Sequence, residues 1–144
     1  DYLDQVKELI IEYTKRLGRD LSFQNIDEEL GNPAKKYTAP EGEILVAVED
    51  EKVLGMVAYH RHSKSRCEMK RLYVKPKYRE NKLGKKLVLE ILEYAKKAGY
   101  KEMVLDTIIP LQVAIQLYKK VGFDEREAYY HNPMDDVLYF KKIL

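Results

Sequence analysis

The segment between Val74 and Leu87 is the part of the sequence whose residue types most clearly indicate chemistry. It reads VKPKYRENKLGKKL, so a strand-like run is followed by a basic loop and a helix-like run. The first N–H groups of a helix and the positive end of its dipole stabilise an anion placed there. Four cations surround this point: Arg79, Lys82, Lys85 and Lys86. The pattern indicates either an anion-binding turn or a solvated basic helix start, and the two interpretations weigh about evenly.

The distribution of charge along the chain is compatible with both interpretations of the basic turn. The net charge is only +2, yet the stretch from Lys64 to Lys86 has ten basic and two acidic residues. That stretch therefore carries +8, and the remainder of the chain carries −6. A focused positive patch on an otherwise acidic protein favours an anionic ligand held at one place. A basic surface without a ligand would have the same composition, so charge alone does not separate the two.

Length and composition limit the class of protein. A chain of 144 residues fits one compact domain over 1–144, and 45% hydrophobic with 35% charged residues excludes disordered, collagen-like and coiled-coil classes. No apolar run is long enough for a membrane span or follows a basic start as in a signal peptide. Cys67 is the only cysteine, which excludes a disulfide framework and a CxxC metal site. We therefore expect a reduced, cytoplasmic setting without membrane contact.

The elements that position the basic turn follow from hydrophobic spacing. The spacing predicts helices over 2–17, 22–31, 83–98 and 111–121, and strands over 43–49, 52–62, 67–74, 103–107, 123–130 and 137–143. The β–α–β unit over 67–107 requires a parallel strand pair with a right-handed crossover, and the flanking hairpins are antiparallel. The sequence therefore predicts an α/β fold with a mixed sheet and helices on both faces.

Strict alternation along 67–74 divides this strand into two faces. It predicts that one face carries Glu68, Lys70, Leu72 and Val74. The other face then carries Cys67, Met69, Arg71 and Tyr73.

Two motifs resemble those of a known family. The pattern L-Y-V-x-P-x-x-R-x-x-x-x-G-x-x-L, beginning at Leu72, resembles the acetyl-coenzyme A signature of the GNAT (Gcn5-related N-acetyltransferase) superfamily. The later run AIQLYKKVGF over 114–123 resembles the second signature of that superfamily, and the predicted element order is similar throughout. The resemblance implies a single-domain GNAT-like fold in which a central parallel strand pair splays apart.

The resemblance also implies a binding site for acetyl-coenzyme A as cosubstrate. It assigns one loop to the pyrophosphate of coenzyme A: Arg79, Glu80, Asn81, Lys82, Leu83, Gly84 and Lys85. It assigns the backbone of three further residues to the pantetheine arm: Leu72, Tyr73 and Val74. An N–H near Val74 would donate to the thioester carbonyl as an oxyanion stabiliser. Lys82 replaces the middle glycine of the family, and Leu111 replaces an asparagine that often contacts the cofactor.

The activity that the resemblance implies is transfer of an acetyl group to a primary amine by direct attack, with no metal and no covalent enzyme intermediate. The amine must first lose a proton, because an alkyl ammonium titrates near pKa ~10. Tyr118 stands at the position of the family's general acid, although it also continues an apolar helical stripe. Glu68 stands where some members have their general base; an ion pair with Lys70 and a water relay are the alternatives.

Other polar residues have simpler interpretations. His60 and His62 lie on one strand face, but no third ligand is evident, so we expect surface histidines and no metal site. We expect Cys67 to be a buried structural residue. Tyr129, Tyr130 and His131 could wall the acceptor pocket, or could simply be strand formers.

The functional alternatives differ in class. A non-catalytic module that senses acyl-coenzyme A would bind the cofactor without turnover. Nucleic acid is not expected as a partner, because the basic segment has no interleaved aromatic residues beyond Tyr73 and Tyr78 and no reader motif. The expected partners are acetyl-coenzyme A and an amine-bearing small molecule, peptide or protein. Either a monomer or a homodimer fits the sequence.

Overall fold

A computed structural model describes residues 2–17 and 42–144. The elements are α1 (Leu3–Leu17), β1 (Glu43–Glu49), β2 (Lys52–Arg61), β3 (Arg66–Val74), a 3-10 helix (Pro76–Asn81), α2 (Leu83–Lys97), β4 (Glu102–Ile108), α3 (Gln112–Lys120), β5 (Asp124–Arg126) and β6 (Val137–Ile143). The predicted helix over 22–31 lies outside the described residues. The other predicted elements are present, and only the strand predicted over 123–130 differs substantially in length.

The strands form one mixed sheet in the order β1-β2-β3-β4-β6-β5. The β3–β4 pair is parallel and the other pairs are antiparallel, which confirms the predicted α/β class. Parallel pairing covers only Arg66–Glu68 against Glu102–Val104. Beyond Glu68 these two central strands separate, although both continue for several residues.

Helices cover both faces of the sheet, as predicted. On one face, buried residues of α2 and α3 pack with Cys67, Met69 and Phe140 of the strands. On the other face, α1 packs against Met56 and Tyr73. In the described part of the chain, no helix has both the length and the apolar composition needed to span a bilayer.

A bulge in β3 overturns the strict alternation predicted for this strand. Met56 pairs with Tyr73 and Ala58 pairs with Lys70, so β3 has one more residue than β2 between these pairs. Arg71 lies in the bulge with φ of 60°. An extra residue reverses the faces of everything that follows it. Leu72 and Val74 therefore pack on the α2 face and not on the face of Glu68, and Tyr73 packs against α1, so the faces predicted for these three residues were wrong.

The strand predicted over 123–130 was wrong beyond Arg126, where β5 ends. β5 lies at the edge of the sheet, yet the hydroxyl of Tyr129 donates to Glu68 on β3 and that of Tyr130 donates to Asp106 on β4. To reach them, the chain leaves the edge and crosses the sheet on the face opposite α2. The chain after Arg126 is therefore held by side-chain hydrogen bonds, and not by the backbone pairing that the predicted strand would have made.

Candidate functional site

The separation of β3 from β4 opens a narrow cleft through the sheet. Tyr13 of α1 lines it on one side, and Tyr118 of α3 lines it on the other. The remaining lining residues come from the two strands and from the start of α3: Met69, Lys70, Arg71, Leu72, Leu105, Asp106, Thr107, Leu111 and Ala114. The cleft thus brings together two of the predicted site residues, Leu72 and Tyr118.

The backbone of Val74 faces the gap between the strands. Gly55 lies opposite Val74, and the N–H of Lys75 donates to the carbonyl of Leu54 at 2.9 Å. In an antiparallel ladder this pattern makes Gly55 and Val74 a non-hydrogen-bonded pair, so the N–H and C=O of Val74 point away from β2. That is the orientation a ligand needs in order to pair with this strand.

Gly55 allows β2 to approach β3 closely at this point. A Cβ atom on Gly55 would lie 2.9 Å from the carbonyl oxygen of Tyr73 and 3.0 Å from a methyl group of Val74. Real Cβ atoms essentially never come this close to backbone. A side chain at Gly55 would therefore displace the end of β3 whose backbone faces the cleft.

The basic loop ends at Lys82, immediately before α2. Lys82 has φ of 57° and ψ of 28°, the left-handed conformation that favours glycine. Lys82 therefore adopts a backbone conformation that is usual for glycine, although it has a side chain. The side chain of Lys82 makes no capping hydrogen bond, so it leaves the first N–H groups of α2 to other partners.

Gly84 lies in the first turn of α2, which begins at Leu83. A Cβ atom there would touch only Leu117 Cδ2, at 3.6 Å, an ordinary contact. Internal packing therefore does not require a glycine at position 84. Lys85 follows in the same turn.

Arg79 connects the loop to the end of β3. Its Nε donates to the carbonyl of Val74 at 2.8 Å, and its guanidinium carbon lies 5.4 Å from the ring centre of Tyr73. The hydroxyl of Tyr73 donates to Glu12 of α1, so this side chain also fastens α1 to the sheet. Glu80 and Asn81 complete the 3-10 helix between Arg79 and Lys82.

Glu68 is buried, with 6% of the residue exposed, and both carboxylate oxygens have partners. Oε1 lies 2.8 Å from His60 Nε2 and 4.0 Å from Lys70 Nζ, and the hydroxyl of Tyr129 donates to Oε2. Burial raises the pKa of Glu68, but the His60 bond, the charge of Lys70 and the Tyr129 bond together hold it at about 2. Glu68 is therefore ionised at neutral pH and is a weak base.

Tyr118 is buried between the cleft and the core. Its ring centre lies 5.9 Å from that of Phe123 and 6.2 Å from that of Phe140. Burial raises the pKa of its phenol, with Tyr13 and Asp106 adding to the effect. Tyr118 therefore keeps its proton at neutral pH, which is the state of a proton donor, while its ring belongs to the core as the helical stripe predicted.

Aromatic rings and carboxylates gather on the face opposite α2. The ring centres of Tyr129, Tyr130 and Tyr139 lie 5.2 to 5.9 Å apart. Asn132 Nδ2 donates to the hydroxyl of Tyr130 at 2.7 Å, and that hydroxyl donates to Asp106. Sequence reasoning missed Asp106, although an acidic residue inside the apolar run MVLDT was a usable signal.

The two histidines differ in their surroundings. His62 is exposed, as predicted, and its ring centre lies 5.2 Å from that of Tyr129. His60 was predicted to be a surface residue, and this was wrong: its side chain is only 21% exposed and it contacts buried Glu68. The register that places His60 opposite Glu68 explains the difference.

Cys67 is fully buried, as predicted, and burial raises the pKa of its thiol to about 12. The thiol is therefore unreactive at neutral pH. Within residues 2–17 and 42–144, no group of three or more His, Cys, Asp or Glu residues is arranged to hold a metal ion.

The site thus combines a cleft between two splayed parallel strands with a basic turn at the start of a helix, within an α/β fold. Residues 3–123 match the model of the acetyltransferase (GNAT) family. An uncharacterized N-acetyltransferase of Schizosaccharomyces pombe is 50% identical over 96% of this chain and 86% of its own length. The chain belongs to the GNAT family.

Solved structures share the fold. An acetyltransferase of the GNAT family from Staphylococcus aureus has a TM-score of 0.82 at 22% identity, over 99% of this chain and 92% of that one. The PaiA N-acetyltransferase from Thermoplasma acidophilum, solved in complex with coenzyme A, has a TM-score of 0.76 at 21% identity, over 99% and 93% of the two chains. At these identities the likeness is one of fold.

Proposed function

We propose that this protein transfers an acetyl group from acetyl-coenzyme A to a primary amine by direct attack of the amine on the thioester. The observation that carries the proposal is the cleft between β3 and β4, towards which the backbone of Val74 is directed. Membership of the GNAT family supports acyl transfer in general. The donor and the acceptor are the parts that the proposal adds.

On the donor side, the backbone does most of the binding. The amides from Arg79 to Lys85 hold the pyrophosphate where the left-handed Lys82 turns the chain into α2. The backbone of Leu72 and the N–H of Val74 pair with the pantetheine arm. The backbone of Tyr73 faces Met56 of β2, and the carbonyl of Val74 accepts from Arg79, so these groups do not join that pairing. The N–H of Val74 then donates to the thioester carbonyl and stabilises the negative charge that develops there.

On the acceptor side, the carboxylates of Glu68 and Asp106 attract an ammonium group towards the cleft. The tyrosines of residues 129 and 130 wall this side, because their hydroxyls attach them to these two carboxylates. The acceptor is an amine-bearing small molecule, peptide or protein. Its proton must leave before attack, and Glu68, with its low pKa, accepts it poorly without further help.

Tyr118 is the proposed proton donor to the departing thiolate. It lines the cleft from the α3 side and stays protonated at neutral pH. Its hydroxyl is the only part of the side chain that this role needs. The ring continues to pack against Phe123 and Phe140.

The test is a screen of primary amines and peptides with acetyl-coenzyme A, in which release of free thiol is measured. We expect at least one amine to give turnover, and we expect Tyr118→Phe to lower kcat by about 10²- to 10⁴-fold while coenzyme A binding is kept. Tyr100→Phe is the matched control, since Tyr100 is also buried on the α2 face but lies outside the cleft lining.

Two outcomes would contradict the proposal. Binding of coenzyme A with no thiol release from any amine would favour the acyl-coenzyme A sensing module instead. Normal turnover in Tyr118→Phe would leave acetyl transfer intact and return Tyr118 to a purely structural role.

A further inference from the structure

Asp106 is the only acidic residue among those that line the cleft in the described part of the chain. The other charged residues of the lining are the cations Lys70 and Arg71. Glu68 lies outside this lining, where its carboxylate is 4.0 Å from the amine of Lys70. A cationic ligand that enters the cleft therefore finds a single carboxylate in its walls.

Three hydrogen bonds in series hold the side chain of Asp106. The backbone N–H of Met134 donates to Asn132 Oδ1 at 2.9 Å, and Asn132 Nδ2 donates to the hydroxyl of Tyr130 at 2.7 Å. A phenol has one proton to donate, and Tyr130 donates it to Asp106 Oδ2. Burial and the charge of Asp106 raise the pKa of Tyr130, so this hydroxyl remains a donor at neutral pH. The backbone after β5 thus fixes the amide, the amide fixes the phenol, and the phenol fixes the carboxylate.

The second oxygen of Asp106 is available to a ligand. Tyr130 occupies Oδ2, and within residues 2–17 and 42–144 no other group forms a hydrogen bond or an ion pair with this side chain. A carboxylate accepts hydrogen bonds at both oxygens. Asp106 lies two residues beyond Val104, where the pairing of β4 with β3 ends. A group bound to Asp106 therefore lies at the gap between the two strands, which the proposed function assigns to the thioester.

We propose that the carboxylate of Asp106 binds the ammonium group of the acceptor, and that Tyr130 and Asn132 are its positioning residues. This inference rests on the proposed function and adds the class of acceptor: an aliphatic primary amine. Such an amine is positively charged at neutral pH, because its pKa is near ~10. An aromatic amine is neutral at this pH and lacks the attraction. Glu68 contributes its charge from outside the lining and does not contact the acceptor.

The cations of the lining make the contact with Asp106 selective for charge. Without this carboxylate, the charged residues of the lining are Lys70 and Arg71 alone, and both repel an ammonium group. A neutral group of the same shape is not repelled in this way. Removal of the charge of Asp106 should therefore weaken a cationic ligand far more than a neutral one, which loss of shape or packing would not do.

The first experiment compares a primary amine that the parent protein acetylates with the alcohol that has a hydroxyl in place of the amino group. Each is titrated by calorimetry into protein saturated with coenzyme A, which has no acetyl group to transfer. We expect the parent to bind the amine more tightly than the alcohol. Asp106→Asn should weaken amine binding by about 10- to 100-fold and change alcohol binding little. An undiminished preference for the amine in Asp106→Asn overturns the proposal.

The second experiment tests the positioning residues with the same two ligands. Tyr130→Phe and Asn132→Ala should each weaken the amine by about 3- to 10-fold and leave the alcohol nearly unaffected. Tyr139→Phe is the matched control: its ring centre lies 5.9 Å from that of Tyr130, but its hydroxyl forms no hydrogen bond within the described residues. It should keep the parent affinity for both ligands. Equal losses for amine and alcohol in Tyr130→Phe overturn the positioning role.

Failure of the ammonium contact and failure of acetyl transfer give different results. Absence of thiol release from the parent protein with every amine overturns acetyl transfer, and the ammonium contact with it. Acetylation of aromatic amines alone overturns the class of acceptor and leaves acetyl transfer standing. The melting temperature of each variant checks its folding. If Asp106→Asn does not fold, Tyr130→Phe, which keeps the carboxylate, decides the comparison of amine with alcohol.

Discussion

The two sides of the cleft are built on different principles. The proposed donor side lies within one continuous segment, residues 72–85, and consists chiefly of backbone groups whose directions follow from strand register and helix start. The proposed acceptor side gathers hydrogen-bonded side chains from four parts of the chain: His60, Glu68, Asp106, Tyr129 and Tyr130. A backbone site tolerates a change of residue as long as the conformation is kept. A site of interlocking side chains does not.

The largest expected effect follows from adding a side chain on the donor side. Gly84→Val should abolish the rise in melting temperature that coenzyme A produces, because β-branched atoms would stand between the phosphates and the amides of α2. The protein should still fold, since a Cβ atom meets only Leu117 Cδ2 at 3.6 Å. Thermal melting with and without coenzyme A measures both.

Lys85→Ala is the matched comparison for that experiment. It removes a charge but keeps the amide, so we expect weaker binding and not its loss. An undiminished coenzyme A shift in Gly84→Val would place the pyrophosphate elsewhere. It would also remove the contrast between a backbone site and a side-chain site.

The next effect concerns the stability that Glu68 provides. Its pKa is lowered from about 4.5 to about 2, so its ionised form stabilises the fold above the unfolded value. This contribution is lost as pH falls from about 4.5 towards 2, and it amounts to something on the order of 3 kcal/mol. Denaturant unfolding at several pH values should show a large penalty for Glu68→Gln at pH 7 that shrinks at low pH.

Glu93→Gln serves as the control for the pH series, because Glu93 is an exposed residue of α2. Its penalty at pH 7 should be small, because the residue is exposed. A pH-independent penalty for Glu68→Gln would mean that the carboxylate contributes packing and not charge. The acceptor side would then be held together by shape alone.

The smallest expected effect concerns the left-handed backbone conformation of Lys82. Lys82→Gly should leave coenzyme A binding in place and raise the stability of the free protein by about 1 kcal/mol or less, because the left-handed conformation costs a lysine about 1–2 kcal/mol and part of the gain is lost to chain entropy. Lys86→Gly, within α2, should instead lower it by about 1 kcal/mol. A destabilised Lys82→Gly would show that the lysine side chain itself supports the loop.

The sequence by itself determined the element order, the mixed sheet and the place of the basic turn. These depend on periodicity, on Pro and Gly positions and on short-range charge, all of which are local properties. It also placed Arg79 through Lys85 in one contiguous segment at the start of the helix, which the structure divides between the 3-10 helix and the first turn of α2. The conformation of this segment follows the same rule, because Lys82 keeps a left-handed backbone before α2 although it is not a glycine.

Only the tertiary structure decided which side chains meet. The bulge at Arg71 changed the face of Val74, and the chain after Arg126 left the sheet edge and crossed to β3. Neither the bulge nor the path of this segment has a repeating sequence pattern that could predict it, because each depends on contacts between residues far apart in sequence. His60 became a partner of Glu68 through strand register, over a separation of eight residues that a linear pattern does not encode. The contacts of the acceptor side are long-range in this physical sense, and folding alone fixes them.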